Sequence, residues 1–401
     1  MTLVEKDGWE MFTNGRINAF ASYGNGDGFP TSTTHEVVGG AGYSTMQSDT
    51  SNHYSAMRIR SGFVSNVFGF GFKKQIAEGT TLRGYLGLWT TVETFDRNKW
   101  LIVNPDAREG YVKIDGPWGG VLVGRSLGLF GRGSTQVNYD FAHGYGLGFP
   151  CDDKLGPTCG HIGTGVMFPG FAAGFVYNTP SLAGLQLSVG IYDPVQLLGA
   201  WERTPYLRPE AALTYDAPLG ENAKFRAWVE GVYQPLARQK LEQVTDPDGT
   251  MRDVLSDPTT VAKGVAGGLR GEVGPVRLGV AAFHGPGLGL YYALQNSPAN
   301  FNAVTKELRT FDGFYAQSAL VFGPVRISAG AGVARVHLMA SEKDVTTYSV
   351  PKQQIGISGG LYYNITDHLI LAGEYFRFRA EWYLGESQTL HFVNAGLTAT
   401  W

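Results

Sequence analysis

Short stretches in which apolar and polar side chains alternate recur along nearly the whole chain. In RINAFASY, residues 16–23, Ile17 and Tyr23 fall on one face of an extended chain, and Arg16 and Asn18 fall on the other. Alternation with a period of two predicts a β-strand whose two faces meet different surroundings. The first such strand is therefore expected near the N-terminus, and similar strands follow it.

Two kinds of connection separate these stretches. Short turns carry Gly, Pro or Asp, and GPVR joins two candidate strands twice, at residues 274–277 and 323–326. Long polar loops, such as residues 236–258, alternate with the short turns. Short turns at one end and longer loops at the other are typical of membrane-spanning barrels, which also contain an even number of strands. The candidate strands number about 16, which agrees with that rule.

The composition bounds the fold class. The chain has 401 residues, of which 56 are Gly, and 13% are aromatic, which fits the strands and turns of an antiparallel barrel. No apolar run reaches the ~18–20 residues of a membrane helix. The length would suggest two or three soluble domains, but single barrels are an exception. We therefore predict one all-β domain, residues 1–401, that forms a transmembrane antiparallel β-barrel of about 16 strands.

The polar faces of the candidate strands carry Arg, Lys, Glu, Ser, Asn and Gln, which predicts a water-filled interior rather than a packed core. A closed barrel satisfies all backbone hydrogen bonds in hydrocarbon, and a barrel of 16–18 strands leaves an aqueous channel. The net charge of −3 gives no electrostatic support for binding nucleic acid. A soluble Gly-rich β-protein, with its apolar faces turned inward, is an alternative.

The largest interruption of the alternating pattern lies between two predicted hairpins. The first hairpin, REGYVKIDG-PWG-GVLVGR, ends at Arg125, and the second, AAGFVYNTPSLAGLQLSVGIYD, begins at Ala172. Residues 126–170 between them are rich in Gly, Phe and Tyr. Loops longer than about 12–15 residues in a compact domain are usually functional or disordered, and this composition does not indicate disorder.

This arrangement resembles the trimeric general porins of Gram-negative outer membranes. The motifs that carry the resemblance are NGR at residues 14–16, the hairpin from Arg108, the pair Gly124-Arg125, the return YNTPSLAGLQLSVGIY from Tyr177, and the terminal Trp401. The resemblance implies passive diffusion of small hydrophilic solutes and ions across the bacterial outer membrane. It also implies a homotrimer surrounded by outer-membrane lipid, in which residues 126–170 fold into the barrel as a constriction loop.

In this family, a ladder of basic residues faces acidic residues on the inserted loop, and rings of charge give a pore its ion selectivity. The residues that we assign to the pore wall are Arg16, Arg58, Arg60, Arg83, Arg108 and Arg125. The alternative role of these arginines is to pair with carboxylates and brace the wall. Because they outnumber the acids of the loop, we predict a mild preference for anions.

The predicted constriction residues are Asp140 and the aromatic residues around it, Tyr139, Phe141 and Tyr145. The aromatic rings either narrow the opening or pack the loop against the wall. Trp89 and Trp228 are candidates for the pore wall or for an interfacial girdle.

The chain contains two cysteines, Cys151 and Cys159, and both lie in the long loop. In an oxidising compartment, we expect them to form a disulfide. Closing so short a loop stabilises it by roughly 2.5 kcal/mol in the chain-entropy picture. Two free thiols are the alternative.

The sequence gives little support for enzyme or metal chemistry. The His residues are scattered, no G-x-S-x-G motif occurs, and His161 near Cys159 lacks a second Cys-x-x-Cys pair. We predict no catalytic residue, metal or cofactor. A remote alternative is a membrane-embedded hydrolase, which would need a Ser and a His close in space.

Two further expectations complete the sequence picture. A channel specific for sugars, phosphate or carboxylates could use the same barrel. The chain begins Met1-Thr2 and leads directly into a polar stretch, so we recognise no leader peptide. Because an outer-membrane protein requires one, we expect this sequence to be a mature or recombinant form.

Overall fold

The computed structural model of the chain describes residues 1–30, 34–35, 53–92, 106–141, 157–195, 206–220, 223–237, 240–245, 249–256, 259–294, 307–342 and 348–401. The strands in this part are β1 (Thr2–Lys6), β2 (Trp9–Asp27), β3 (Thr34–His35), β4 (His53–Arg60), β5 (Asn66–Ala77), β6 (Thr80–Thr90), β7 (Asp106–Gly116), β8 (Gly119–Leu127), β9 (Phe171–Asn178), β10 (Leu185–Tyr192), β11 (Arg208–Pro218), β12 (Ala223–Ala237), β13 (Lys240–Thr245), β14 (Met251–Ser256), β15 (Thr259–Val273), β16 (Val276–Pro286), β17 (Thr310–Phe322), β18 (Val325–His337), β19 (Tyr348–Ser349), β20 (Pro351–Thr366), β21 (Leu369–Trp382) and β22 (Ser387–Thr400). The helices are α1 (Arg132–Phe141) and a 3-10 turn, Ala340–Glu342. No helix of the described residues is long and apolar enough to cross a membrane.

The main sheet closes on itself through β2. On one side, β2 pairs with β22 and, nearer its start, with β1. On the other side, its second half pairs with β4 and its first half with β5. The eighteen strands of this sheet therefore occupy sixteen positions in the described residues, because β1 shares a position with β22 and β4 shares one with β5. The prediction of an all-β antiparallel barrel of about 16 strands is confirmed.

The break between β4 and β5 is held together by one buried side chain. Asn18 of β2 donates to the Val64 carbonyl (2.8 Å) and accepts from the Gly62 N–H (2.7 Å). Its own N–H donates to Asn66 Oδ1 (2.7 Å). These bonds satisfy backbone groups that the irregular segment would otherwise leave unpaired.

The outward face of the strands is apolar. Phe70, Leu86 and Val112 lie on neighbouring strands and are 46%, 43% and 45% exposed. Ile17 and Tyr23 point the same way, as their alternation predicted. Soluble monomers rarely expose contiguous apolar patches on this scale, so this belt is unlike the surface of a soluble β-protein.

The two ends of the barrel differ. Turns such as residues 117–118, 274–275 and 323–324 lie at one end, together with both chain termini, where Trp401 N–H donates to the Gly15 carbonyl. The strand ends on the other side lead into the longer connections. One of them, predicted as a polar loop at residues 236–258, contains the β13–β14 hairpin instead.

The interior is not simply an aqueous channel. A large apolar cluster fills one side of the lumen, between the wall and residues 128–141 and 157–170, which together we name the inserted segment. Residues 287–294 also turn inward, with Leu288, Leu290 and Leu294 fully buried. The expectation of a purely water-filled interior is therefore wrong for this side of the barrel, because the inserted segment supplies it with an apolar partner.

Candidate functional site

The inserted segment enters the barrel at the end of β8, and its helix α1 lies against β15, β16 and β17. A carboxylate on the inner wall holds the start of the segment. Glu210 of β11 accepts hydrogen bonds from the N–H groups of Leu129 (2.7 Å) and Phe130 (3.0 Å). Glu210 is buried and forms an ion pair with Arg208 (2.9 Å), whose guanidinium lies over the ring of Tyr192.

A second wall carboxylate holds the first turn of α1. Glu230 of β12 accepts hydrogen bonds from the N–H groups of Gly131 (2.7 Å) and Gly133 (2.8 Å). Unpaired N–H groups at a helix N-terminus favour a negative charge. Gly133 also lies directly against the Trp228 indole, so that a Cβ at this position would overlap the ring. Trp228 therefore points inward beneath α1 and does not belong to an interfacial girdle.

The second described half of the inserted segment, residues 157–170, is joined to the wall and to the other inward loop. Phe168 N–H donates to the Tyr291 carbonyl (2.8 Å), and Ala293 N–H donates to the Phe168 carbonyl (2.8 Å). These bonds form a short bridge between the two inward segments. Ser134 and Thr135 of α1 donate to the Met167 carbonyl, which joins the two halves of the segment.

A buried Ser–His pair lies where this half meets the far wall. His161 Nε2 is 2.7 Å from Ser358 Oγ, and its Nδ1 is 3.3 Å from Thr164 Oγ1. The ring packs against Tyr315 and Phe376. Burial lowers the pKa of His161 to about 3. Such an imidazole is a weak base at neutral pH, and both side chains are buried, so the pair anchors the segment and does not form a hydrolase site.

The opposite side of the lumen is more open. A cavity of about 320 Å³ lies between the wall strands β2, β6, β7 and β9 and the inserted segment. Trp89 lines it, with the guanidinium carbons of Arg16 and Arg108 5.8 and 5.2 Å from the ring centroid. Glu109 also lines the cavity. Trp89, one of the two tryptophans considered for the pore wall, therefore lies there.

A β-bulge brings two successive side chains into this cavity. The pairing of β6 with β7 shifts between Gly87 and Leu88, so that Arg108 has no partner on β6. Strand alternation would place Arg108 and Glu109 on opposite faces, but both line the cavity. Bulges commonly re-aim side chains in this way. Arg108 Nε also binds Asp106 Oδ2 at 2.7 Å.

A second cavity, of about 490 Å³, lies nearer the end with the short turns. Arg83, Lys113 and Arg132 line it together with Asp115, and Lys113 Nζ is 2.8 Å from Asp115 Oδ1. Basic groups thus line both cavities.

The other predicted wall residues divide into two groups. Arg58 and Arg60 stand opposite Ser22 and Phe20 of β2 and face inward with them. Arg60 is buried, and Arg58 is exposed. The assignment of Arg125 to the lumen is wrong: Arg125 is exposed on the outward face, because it is two residues after the outward Val123.

Part of the predicted constriction lies outside the described residues. Tyr139, Asp140 and Phe141 form the last turn of α1, but their side chains are outside the described part. Tyr145 and Cys151 also lie outside it. Cys159 is buried. Its pairing with Cys151 stays a prediction.

Several residues that build the site were missed from the sequence: Glu109, Lys113, Arg132, Glu210 and Glu230. The two wall glutamates had a usable signal, because each is a carboxylate on the inward face of a largely apolar strand. Glu109 was missed because strand alternation cannot reveal a bulge. No group of three or more His, Cys, Asp or Glu suited to a metal occurs among the described residues.

The whole architecture recurs in known structures. The outer membrane channel DcaP of Acinetobacter baumannii superposes with a TM-score of 0.67 at 14% identity, covering 100% of this chain and 99% of that chain. The anion-selective porin of Comamonas acidovorans gives 0.61 at 11%, with 98% and 100% covered. The chain has the fold of the outer-membrane porins. A trimer form of OmpT, an outer membrane protein of Vibrio cholerae, shares this porin fold with a TM-score of 0.56 at 11%, covering 98% and 100%.

No protein-family model and no curated protein matches the chain. At these identities, the likeness establishes the porin fold alone. The resemblance noted from the sequence is thus confirmed for the fold, and the hydrolase alternative gains no support from these channel structures.

Proposed function

We propose that the chain is a diffusion channel of the bacterial outer membrane for small hydrophilic solutes. The observation that carries this proposal is the cavity between the Arg16–Trp89–Arg108 wall and the inserted segment, inside a closed barrel with an apolar outer belt. A barrel of this size leaves room for water, and the described residues of the inserted segment occupy only part of that room. Residues 126–170 act as the constriction, and solutes are sorted by width and local charge.

A planar-bilayer experiment tests the proposal directly. The refolded protein should produce ohmic conductance steps in salt solution. Steps in groups of three would support the trimer, which also gains support from the trimer form of OmpT. Correctly folded protein that produces no conductance would refute the channel function.

We further propose a mild preference for anions, for which Arg16, Arg83 and Arg108 are the expected determinants. The second cavity adds Lys113 and Arg132. The reversal potential in a salt gradient should indicate that anions cross more readily. Arg16→Gln combined with Arg108→Gln should shift it toward cations, whereas Arg125→Gln, on the outward face, should leave it unchanged. A cation-preferring wild-type channel would contradict the proposal.

We also propose that Cys159 pairs with Cys151 in the inserted segment. Both residues belong to the long loop of the sequence, and Cys159 is buried beside the first cavity. Peptide mapping without reduction should recover the two cysteines in one cross-linked fragment. Free thiols that react with a maleimide after unfolding would contradict this pairing.

A further inference from the structure

The first cavity carries an unusual combination of side chains for a passage through which solutes merely diffuse. Arg16, Arg108 and Glu109 supply both signs of charge within about 320 Å³. Asp106 binds Arg108 from outside the lining. An anion entering this cavity would therefore meet attraction from two guanidinium groups and repulsion from a carboxylate. A ligand with only one charge does not match this wall.

Five of the remaining described lining residues are aromatic, beside aliphatic and polar ones such as Val64, Leu127 and Gln136. The distance between ring centroids is 5.4 Å from Trp89 to Phe171, 5.9 Å from Phe171 to Phe168, and 5.5 Å from Phe168 to Tyr292. Phe63 packs edge-on against Phe168 (6.5 Å). These distances are those of interacting aromatic pairs. The cluster belongs partly to the wall and partly to the two inward segments, so it borders the cavity from both sides.

The cavity has the size and character of a small-ligand site. Such sites are mostly apolar concavities with a few placed polar groups, and this volume is at the lower end of their range of about 300–1,000 Å³. Guanidinium groups bind carboxylates through several N–H donors and also stack on aromatic rings. Glu109, the one carboxylate among the described residues that line the cavity, is complementary to an ammonium group. A single-ring molecule with one carboxylate and one ammonium matches the charges and the rings together.

We propose that this cavity binds zwitterions that carry an aromatic ring, that is, aromatic amino acids or close analogues. Arg16 and Arg108 receive the carboxylate, Glu109 receives the ammonium group, and the Trp89–Phe168 cluster receives the ring. The inference rests on the proposed channel function, because ligands must reach the cavity from the lumen. It deepens that function by naming a solute class that the channel retains during passage.

The test compares four ligands of nearly equal size in their ability to block single-channel current. L-Phenylalanine has all three features. 3-Phenylpropionate lacks the ammonium group, 2-phenylethylamine lacks the carboxylate, and cyclohexylalanine lacks the aromatic ring. Phenylalanine should block at concentrations about tenfold lower than either singly charged ligand, because each loses one charge-assisted contact. It should also block at severalfold lower concentrations than cyclohexylalanine.

Substitution of Glu109 gives the decisive contrast. Glu109→Gln should weaken block by phenylalanine about tenfold and should strengthen block by 3-phenylpropionate, because the repelled carboxylate then meets no negative charge. Glu78→Gln is the matched control: Glu78 is exposed at the short turn after β5. It should change neither value. Trp89→Leu should remove the advantage of phenylalanine over cyclohexylalanine, with Trp118→Leu, at the exposed turn after β7, as its control.

Three outcomes would overturn the inference. Equal block by all four ligands would show that the cavity distinguishes ligands neither by their charged groups nor by their aromatic ring. Parallel changes for phenylalanine and 3-phenylpropionate in Glu109→Gln would remove the role of Glu109. Both of these results come from conducting channels and leave the proposed function standing. Folded protein without conductance would instead overturn the channel function and this inference with it.

Discussion

The two sides of the lumen have the same strand geometry, but one side is packed and the other borders a cavity. On the side of β15 to β21, inward Ala281, Phe283 and Phe376 pack against the inserted segment and are buried. On the side of β2 to β7, inward Arg16 and Trp89 border a cavity. The difference arises from the side chains and not from the barrel. Where inward residues are apolar, the segment packs on them, and where they are cationic, it leaves space.

The attachment of the segment explains why the space persists. Glu210 and Glu230 fix the start of the segment on one wall, and His161 fixes its second half at Ser358. Both attachments are buried hydrogen bonds, which cost more to break than exposed ones. The cavity beside Arg16 therefore depends on contacts that lie on the other side of the lumen. Substitutions that break contacts on each side test this difference between the packed and the open side of the lumen.

Loss of a wall carboxylate should have the largest effect. Glu230→Ala leaves the N–H groups of Gly131 and Gly133 buried without their acceptor. Each such group costs about 1–3 kcal/mol, so we expect the variant to be destabilised by about 2–6 kcal/mol. The thermal unfolding midpoint in detergent measures this, and Glu78→Ala at the exposed turn is the control. Equal midpoints for the two variants would show that Glu230 does not hold the segment.

The packed side was partly readable from the sequence. VRLGVAAF, residues 276–283, is apolar at nearly every position, which is typical of a strand buried on both faces. Because a polar lumen was expected, this apolar run was not interpreted as a strand packed on both faces. The strand number, the outward faces and the position of the long loop followed from alternation and turn chemistry, because those patterns are local.

The features that sequence reasoning missed depend on register or on distant contacts. Arg125 was assigned to the lumen from its motif, although the frame set by Val123 places it outward. Arg108 and Glu109 share a cavity because of a bulge that no local pattern encodes. The contact of Gly133 with Trp228 joins residues 95 positions apart, and only the closed barrel brings them together.

Filling the space at Gly133 should have the next largest effect. Gly133→Val places two methyl groups where the Trp228 indole lies. Overpacking of this kind typically costs 1–3 kcal/mol, and we expect about 3 kcal/mol because the ring lies between helix and wall. Gly271→Val on β15 is the matched control, since no atom lies within 4 Å of a Cβ there. Conductance should change only in the first variant, as α1 moves toward the cavity.

Mild acid should weaken the packed side through His161. Its pKa in the folded protein is about 3, against an ordinary value of 6.5. Between pH 6.5 and 3, His161 is therefore protonated in the unfolded chain and neutral in the folded protein. The stability that the neutral, buried His161 contributes is complete above pH 6.5 and declines as the pH falls. Between pH 7.5 and 5, the loss should be about 2 kcal/mol. Unfolding midpoints at the two pH values should differ less in His161→Gln than in the wild type, and an equal difference would contradict the assignment.

The smallest effect is expected on the open side, where water can replace a lost partner. Tyr85 of β6 donates to Asn14 Oδ1 (3.1 Å) in an exposed hydrogen bond. Tyr85→Phe should cost at most about 0.5–1.5 kcal/mol, the net worth of an ordinary hydrogen bond. Ser358→Ala removes a hydrogen bond of similar type from the buried His161 and should cost more, because the imidazole nitrogen is left without a partner and without access to water. If the two variants unfold at the same temperature, the open side is as tightly sealed as the packed side, and the space beside Arg16 is not a passage for water.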